Sequence, residues 1–174
     1  MDLENASFFD GHDHEFWNSM EKKRPLALVV GITLVAIAPL IVIGNVLIII
    51  VIWKDPLRTL RSFTSSRILF SMAIADVLVG SILCPLLADW SLLIGVGDQP
   101  TFSVSVPLAI NAVLTSVSVG HVLLLTLDRL FALFAPLQYR VKVTNRRVSI
   151  ATILIWGYAL VLGVLHAEIG RAHV

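Results

Sequence analysis

Long apolar runs separated by short charged linkers set the pattern of this chain. Leu26 to Trp53 carries no charge, Ile68 to Ala88 carries only Asp76, Thr101 to Leu127 carries none with His121 neutral, and Val148 to Leu165 carries none. A helix needs about 20 apolar residues to cross a hydrocarbon core of ~30 Å. The pattern therefore predicts four membrane-spanning helices, at about 26–53, 66–88, 101–134 and 147–168. The runs are continuous rather than alternating, and too long for the staves of a membrane barrel. The expected fold class is all-α, an integral membrane helical bundle.

Composition agrees. Of the 174 residues 57% are hydrophobic and 14% charged, where a water-soluble domain carries roughly 25% charged residues. Lipid is the solvent this composition suits. The net charge of +1 gives no footprint for nucleic acid. Residues 1–25 form an acidic, polar tail without the basic start and apolar middle of a secretory signal, so the first helix has to direct its own insertion. Cys84 is the single cysteine, which excludes an internal disulfide, and its apolar setting reads as an inert buried thiol.

Lys and Arg orient the chain. Lys54, Arg58, Arg61 and Arg67 flank the first linker, none lies between Asp89 and Pro100, and Arg129, Arg140, Lys142, Arg146 and Arg147 crowd the third. The positive-inside tendency then puts the first and third linkers in the cytoplasm and the amino-terminal tail outside. Lys22, Lys23 and Arg24 pull the other way at the first span, and the uncharged second linker decides. An outside tail makes the sequon Asn5-Ala6-Ser7 accessible to glycosylation. His12-Asp13-His14-Glu15 in that tail reads as solvated acidic chain, lacking a third metal ligand at a defined spacing.

Several polar residues lie where lipid should exclude them. Asp76 falls roughly 12 Å into the second run, where a carboxylate costs about 2.5 to 3.5 kcal/mol. It is either a cation or proton site, or a structural hydrogen-bonded carboxyl. Asn111, Thr115, Ser118 and Arg129 project within about 60° of one another on the third helix, a stripe expected to face the interior of a bundle. From Thr101 to Arg129 is roughly 42 Å of helix, so Arg129 reaches the inner membrane face with Asp128 beside it. Taken alone, that pair fits an interfacial anchor as well as a functional one.

The order of motifs is more specific. Gly44-Asn45-Val46-Leu47, Met72-Ala73-Ile74-Ala75-Asp76-Val77-Leu78, Asp128-Arg129-Leu130, Ala135-Pro136-Leu137-Gln138-Tyr139 and Trp156 follow one another from the first run to the fourth. In this order they resemble the rhodopsin-like (class A) G-protein-coupled receptors, with Trp90 suiting the first extracellular loop. The resemblance implies an amino-terminal piece of a plasma-membrane, multi-pass receptor, helices one to four of seven. Its partners would be an extracellular ligand, the lipid bilayer and a heterotrimeric G protein, and it would not be an enzyme. Arg129 would be restrained by Asp128 at rest and meet the G protein on activation, with Pro136 and Leu137 in the docking loop. Asp76 and Ser118 would contribute to a buried Na+ site, the one ion implied and no other cofactor, and Asn45 to the polar network beside it. Asn111 and Thr115 would line the ligand pocket, and Trp156 would be structural.

Departures from the family pattern carry expectations too. Leu130 replaces the usual aromatic. No Cys stands near Val104, as in melanocortin-like and several lipid-sensing subgroups. Asn111 stands where amine receptors keep an Asp, which argues against a simple monoamine ligand. Ile169-Gly170-Arg171-Ala172-His173-Val174 reads as the translation of ATCGGAAGAGCACACGTC, which resembles a sequencing-library adapter, so 169–174 is expected to be foreign to the fold. The piece alone is expected to insert without signalling. The alternative is a truncated four-span scaffold or a dimerising isoform. Ser118 with His121 is the only local pair that could suggest catalysis, and no third group converges on it.

Overall fold

The computed structural model describes the backbone of residues 3–55, 64–98 and 105–172, with side chains described from 22 onward within those segments except at 105, 140 and 169–172. The elements are α1 (Leu3–Lys54), α2 (Thr64–Leu78), a π-helical segment (Val79–Leu83), α3 (Cys84–Val96), α4 (Ser105–Phe134), α5 (Pro136–Lys142) and α6 (Asn145–Ala172). Long helices follow from the solvent, because in hydrocarbon each backbone amide must be bonded within its own segment. Four helical stretches are long and apolar enough to cross a membrane: Lys22–Lys54, Thr64–Val96, Val106–Phe134 and Asn145–Glu168. The chain is thus an all-α, multi-pass membrane protein.

Three boundaries differ from expectation. The backbone of the amino-terminal tail is helical from Leu3 and runs into the first span through Pro25 and Pro39. The side chains of Asn5 and of the His12 to Glu15 cluster lie outside the described residues. The second span does not stop at Asp89 but continues to Val96, because Leu92, Leu93, Ile94 and Val96 extend its apolar run. That places Trp90 within α3 rather than in an extracellular loop. At the third boundary, α6 continues through Ala172, into the segment expected to be foreign.

The second span ends on Gly97, whose left-handed φ of 92° suits glycine, and the amides of Gly97 and Asp98 close onto the Ile94 and Leu93 carbonyls. Midway along this span the Cys84 amide bonds five residues back to Val79, just before Pro85, which has no amide to offer. The wider turn lets the helix pass the proline without a break.

The second span packs against each of the other three, and α4 packs along α6. Close approach is bought with small residues. A Cβ on Gly80 would lie 2.7 Å from Val42 Cγ2 and 3.0 Å from the Ala38 carbonyl oxygen of α1. Ala75, Val117 and Ala159, one from each of α2, α4 and α6, form a buried knot with Val113 and Trp156 against it. Outside, the exposed side chains are large and apolar, Leu40, Leu47, Leu123, Leu154 and Val164 among them. Such a surface is at home in lipid.

Candidate functional site

At the end of the bundle where α2 begins and α4 closes, Asp128 is buried, 6% exposed. Its carboxylate accepts from Ser65 Oγ at 2.6 Å and from the Tyr139 hydroxyl at 2.8 Å. Three elements meet on this side chain: Ser65 comes from the first turn of α2 and Tyr139 from the short α5. α5 forms because Ala135 leaves the helix with φ −139° and Pro136 restarts it at a position that needs no amide. The ring of Tyr139 also lies 6.4 Å from that of Phe131 at a tilt of 44°, a favourable aromatic contact. Burial, with the Asp128 carboxylate beside it, pushes the Tyr139 phenol above its ordinary value, and the hydroxyls of Thr64 and Ser65 offset part of that rise.

Arg129 is exposed next to this clasp. Among the described residues the donors to Asp128 are these two hydroxyls, and Arg129 is not one of them. The guanidinium therefore faces outward beside a carboxylate that is already satisfied. Leu137, 88% exposed, and Leu133 and Phe134 present apolar surface at the same end; Pro136 is exposed as well. Arg147 Nη1 donates to the Lys142 carbonyl at 2.7 Å, tying the end of α5 to α6.

Inside the bundle, Ser118 Oγ donates to Asp76 Oδ1 at 3.3 Å across α4 and α2. A carboxylate and a hydroxyl are donors a hard cation takes. Asn45 does not join them: its amide donates to the Ile41 carbonyl of its own helix at 2.9 Å. Among the described residues no group of three His, Cys, Asp or Glu side chains could hold a metal. Trp156 Nε1 donates to Ser71 Oγ at 3.0 Å, pinning α6 to α2.

The polar stripe of α4 is only partly interior. Ser118 is half-buried, whereas Asn111, Thr115 and Arg129 are exposed, and Thr115 donates to Asn111 Oδ1 at 3.2 Å. The face that α4 buries is instead Pro107, Leu114, Val117, His121 and Asp128, roughly a quarter-turn away. Sequence reasoning missed Ser65 and Ser71, and the hydroxyls opening α2 were the available signal. His121, weighed above only beside Ser118, also lies on the buried face. That ring is fully buried, its Nδ1 donates to the Val117 carbonyl at 2.7 Å, and its Nε2 has no partner among the described residues.

The family described as 7 transmembrane receptor (rhodopsin family) matches residues 44–173. The histamine H2 receptor of Canis lupus familiaris is 28% identical over 146 residues, covering 84% of this chain and 40% of that receptor. The muscarinic acetylcholine receptor of Drosophila melanogaster is 32% identical over 136 residues, 78% of this chain and 16% of that receptor. A dopamine D2-like receptor of the same fly is 25% identical over 151 residues, 87% of this chain and 15% of that receptor. The chain thus spans less than half the length of these curated relatives. The names of these relatives stand against the expectation drawn from Asn111, that a simple monoamine ligand is excluded.

Proposed function

The chain belongs to the rhodopsin family of seven-transmembrane receptors, and we propose that it supplies the first four helices of a plasma-membrane receptor that turns binding of an extracellular ligand into activation of a heterotrimeric G protein. The observation that carries this reading is the Asp128 clasp with Arg129 exposed beside it. The clasp fixes α5 against the start of α2, so the docking loop is held in place before a partner arrives. Arg129 then offers an unburied cation to the G protein, while Leu137 offers an apolar side chain to a groove on it. Ligand binding at the far end, where Asn111 and Thr115 lie on α4, shifts a two-state bundle toward the coupling form.

The charge pattern supports an outside amino terminus and a cytoplasmic Arg129 end. It also supports glycosylation at Asn5. The Asp76–Ser118 pair is the core of an allosteric Na+ site, completed by groups beyond these two. Histamine, acetylcholine and dopamine belong in the first ligand panel.

The test is expression of a complete seven-helix reading frame that contains this chain, in cells reporting G-protein nucleotide exchange. Arg129→Ala is expected to lower ligand-driven exchange at least tenfold with surface expression retained. Exchange that survives this change would overturn the coupling role. The four-span chain expressed alone is expected to insert and stay silent.

A further inference from the structure

A cleft of about 490 Å³ opens between the first, second and fourth spans, at the same end as the Asp128 clasp. It takes no part in the coupling site. Its mouth carries Arg67, which is exposed and donates to Ser149 Oγ at 3.3 Å. Thr152 adds a second hydroxyl from the same helix, and Phe70, Ile74 and Ile153 form apolar walls. From Arg67 to Ile74 is roughly 10 Å of helix. Polar groups therefore stand at the membrane surface and apolar walls run inward from them.

We infer that this cleft holds one anionic phospholipid, its headgroup phosphate on Arg67 with the Ser149 hydroxyl beside it, and one acyl chain along Phe70, Ile74 and Ile153. Charge selects the occupant. A guanidinium presents five N–H donors in a fork that fits phosphate oxygens, and the bond to Ser149 engages one of them. An arginine serving only as an anchor could reach water from an otherwise apolar slope. Here hydroxyls from a second helix converge on the same opening, which is what a bound phosphate needs. The extra negative charge of an anionic headgroup strengthens the attraction over a zwitterionic one.

The experiment uses the full chain, released from detergent and examined by native mass spectrometry after equilibration with phosphatidylserine or phosphatidylcholine of identical acyl chains. The wild-type chain is expected to retain one phosphatidylserine in preference to phosphatidylcholine. Arg67→Gln should lower phosphatidylserine occupancy about fivefold, the worth of one cation near an anionic surface. Arg67→Lys should keep most of the preference, and Thr152→Trp, which fills the cleft, should reduce retention of both lipids. Arg146→Gln removes an exposed charge outside the cleft and should change little. The inference fails if Arg67→Gln keeps the full preference, or if Arg146→Gln erases it equally, which would mean diffuse surface charge. It also fails if both lipids bind alike and cholesterol displaces them, which would mean an apolar slot with no headgroup site. Circular dichroism of each variant separates a lost lipid from a lost fold.

Discussion

Asp128 is the residue on which this end of the bundle depends. A buried carboxylate left without donors costs more than an ordinary hydrogen bond, because the charge has lost its water. Ser65→Ala and Tyr139→Phe each remove one hydroxyl from it, and the second keeps the ring that packs on Phe131. Each is expected to lower stability by about 1.5 to 3 kcal/mol, read as a shift in the unfolding midpoint in bicelles. An unchanged midpoint in both would mean the carboxylate finds other donors. The phenol adds a pH dependence of known sign. Its folded value is raised above the ordinary 10.0, so its contribution is complete below pH 10 and is lost as pH rises through the folded value. Wild-type stability should fall on that alkaline side, and in Tyr139→Phe the component should vanish from the titration.

Small residues govern how the elements meet, and their effects separate cleanly. Gly80 faces the α1 backbone, so a methyl there must push against the Ala38 carbonyl as well as Val42, while a Cβ on Gly44 or Gly157 would meet nothing within 4 Å. Gly80→Ala is expected to cost about 1 to 3 kcal/mol as overpacking. Gly44→Ala and Gly157→Ala should be neutral or gain up to about 1 kcal/mol of helix propensity. Thermal unfolding of the variants in one detergent checks the order, and a Gly80 variant as stable as the other two would remove the close-contact account. The same contrast shows what the sequence made legible. Four apolar runs told of four helices, since span length is set by the bilayer. The motif order located Asp128, Arg129 and Asp76 on them. The turn taken by α4 was not legible: where lipid and protein interior are equally apolar, hydrophobic periodicity cannot say which face is covered. Among these four helices Asn111 and Thr115 are exposed, and the covered face carries Leu114, Val117 and His121. The end of the second span was missed for a related reason. Asp89 looked like a boundary, yet it is exposed and the helix runs past it to a glycine stop.

At the scale of the whole molecule, the exposed polar pair on α4 sets the chain by itself against the longer receptor it resembles. Asn111 and Thr115 bond to each other, which satisfies some of their polar atoms but leaves others against hydrocarbon, at a cost of about 1 kcal/mol or more. In a seven-helix receptor the same atoms would face a ligand pocket and its water. One double change therefore has opposite effects in the two settings. Asn111→Leu with Thr115→Val should stabilise the four-span chain in bicelles by about 1 kcal/mol, because it swaps lipid-facing polar groups for apolar ones of similar size. In the complete reading frame the same change should weaken ligand response by at least tenfold while Arg129-dependent basal exchange persists. If the four-span chain is destabilised instead, the pair already serves an interior role among these helices. If the complete receptor responds as before, Asn111 and Thr115 lie outside the ligand pocket, and the polar groups that read the ligand have to be sought on other helices.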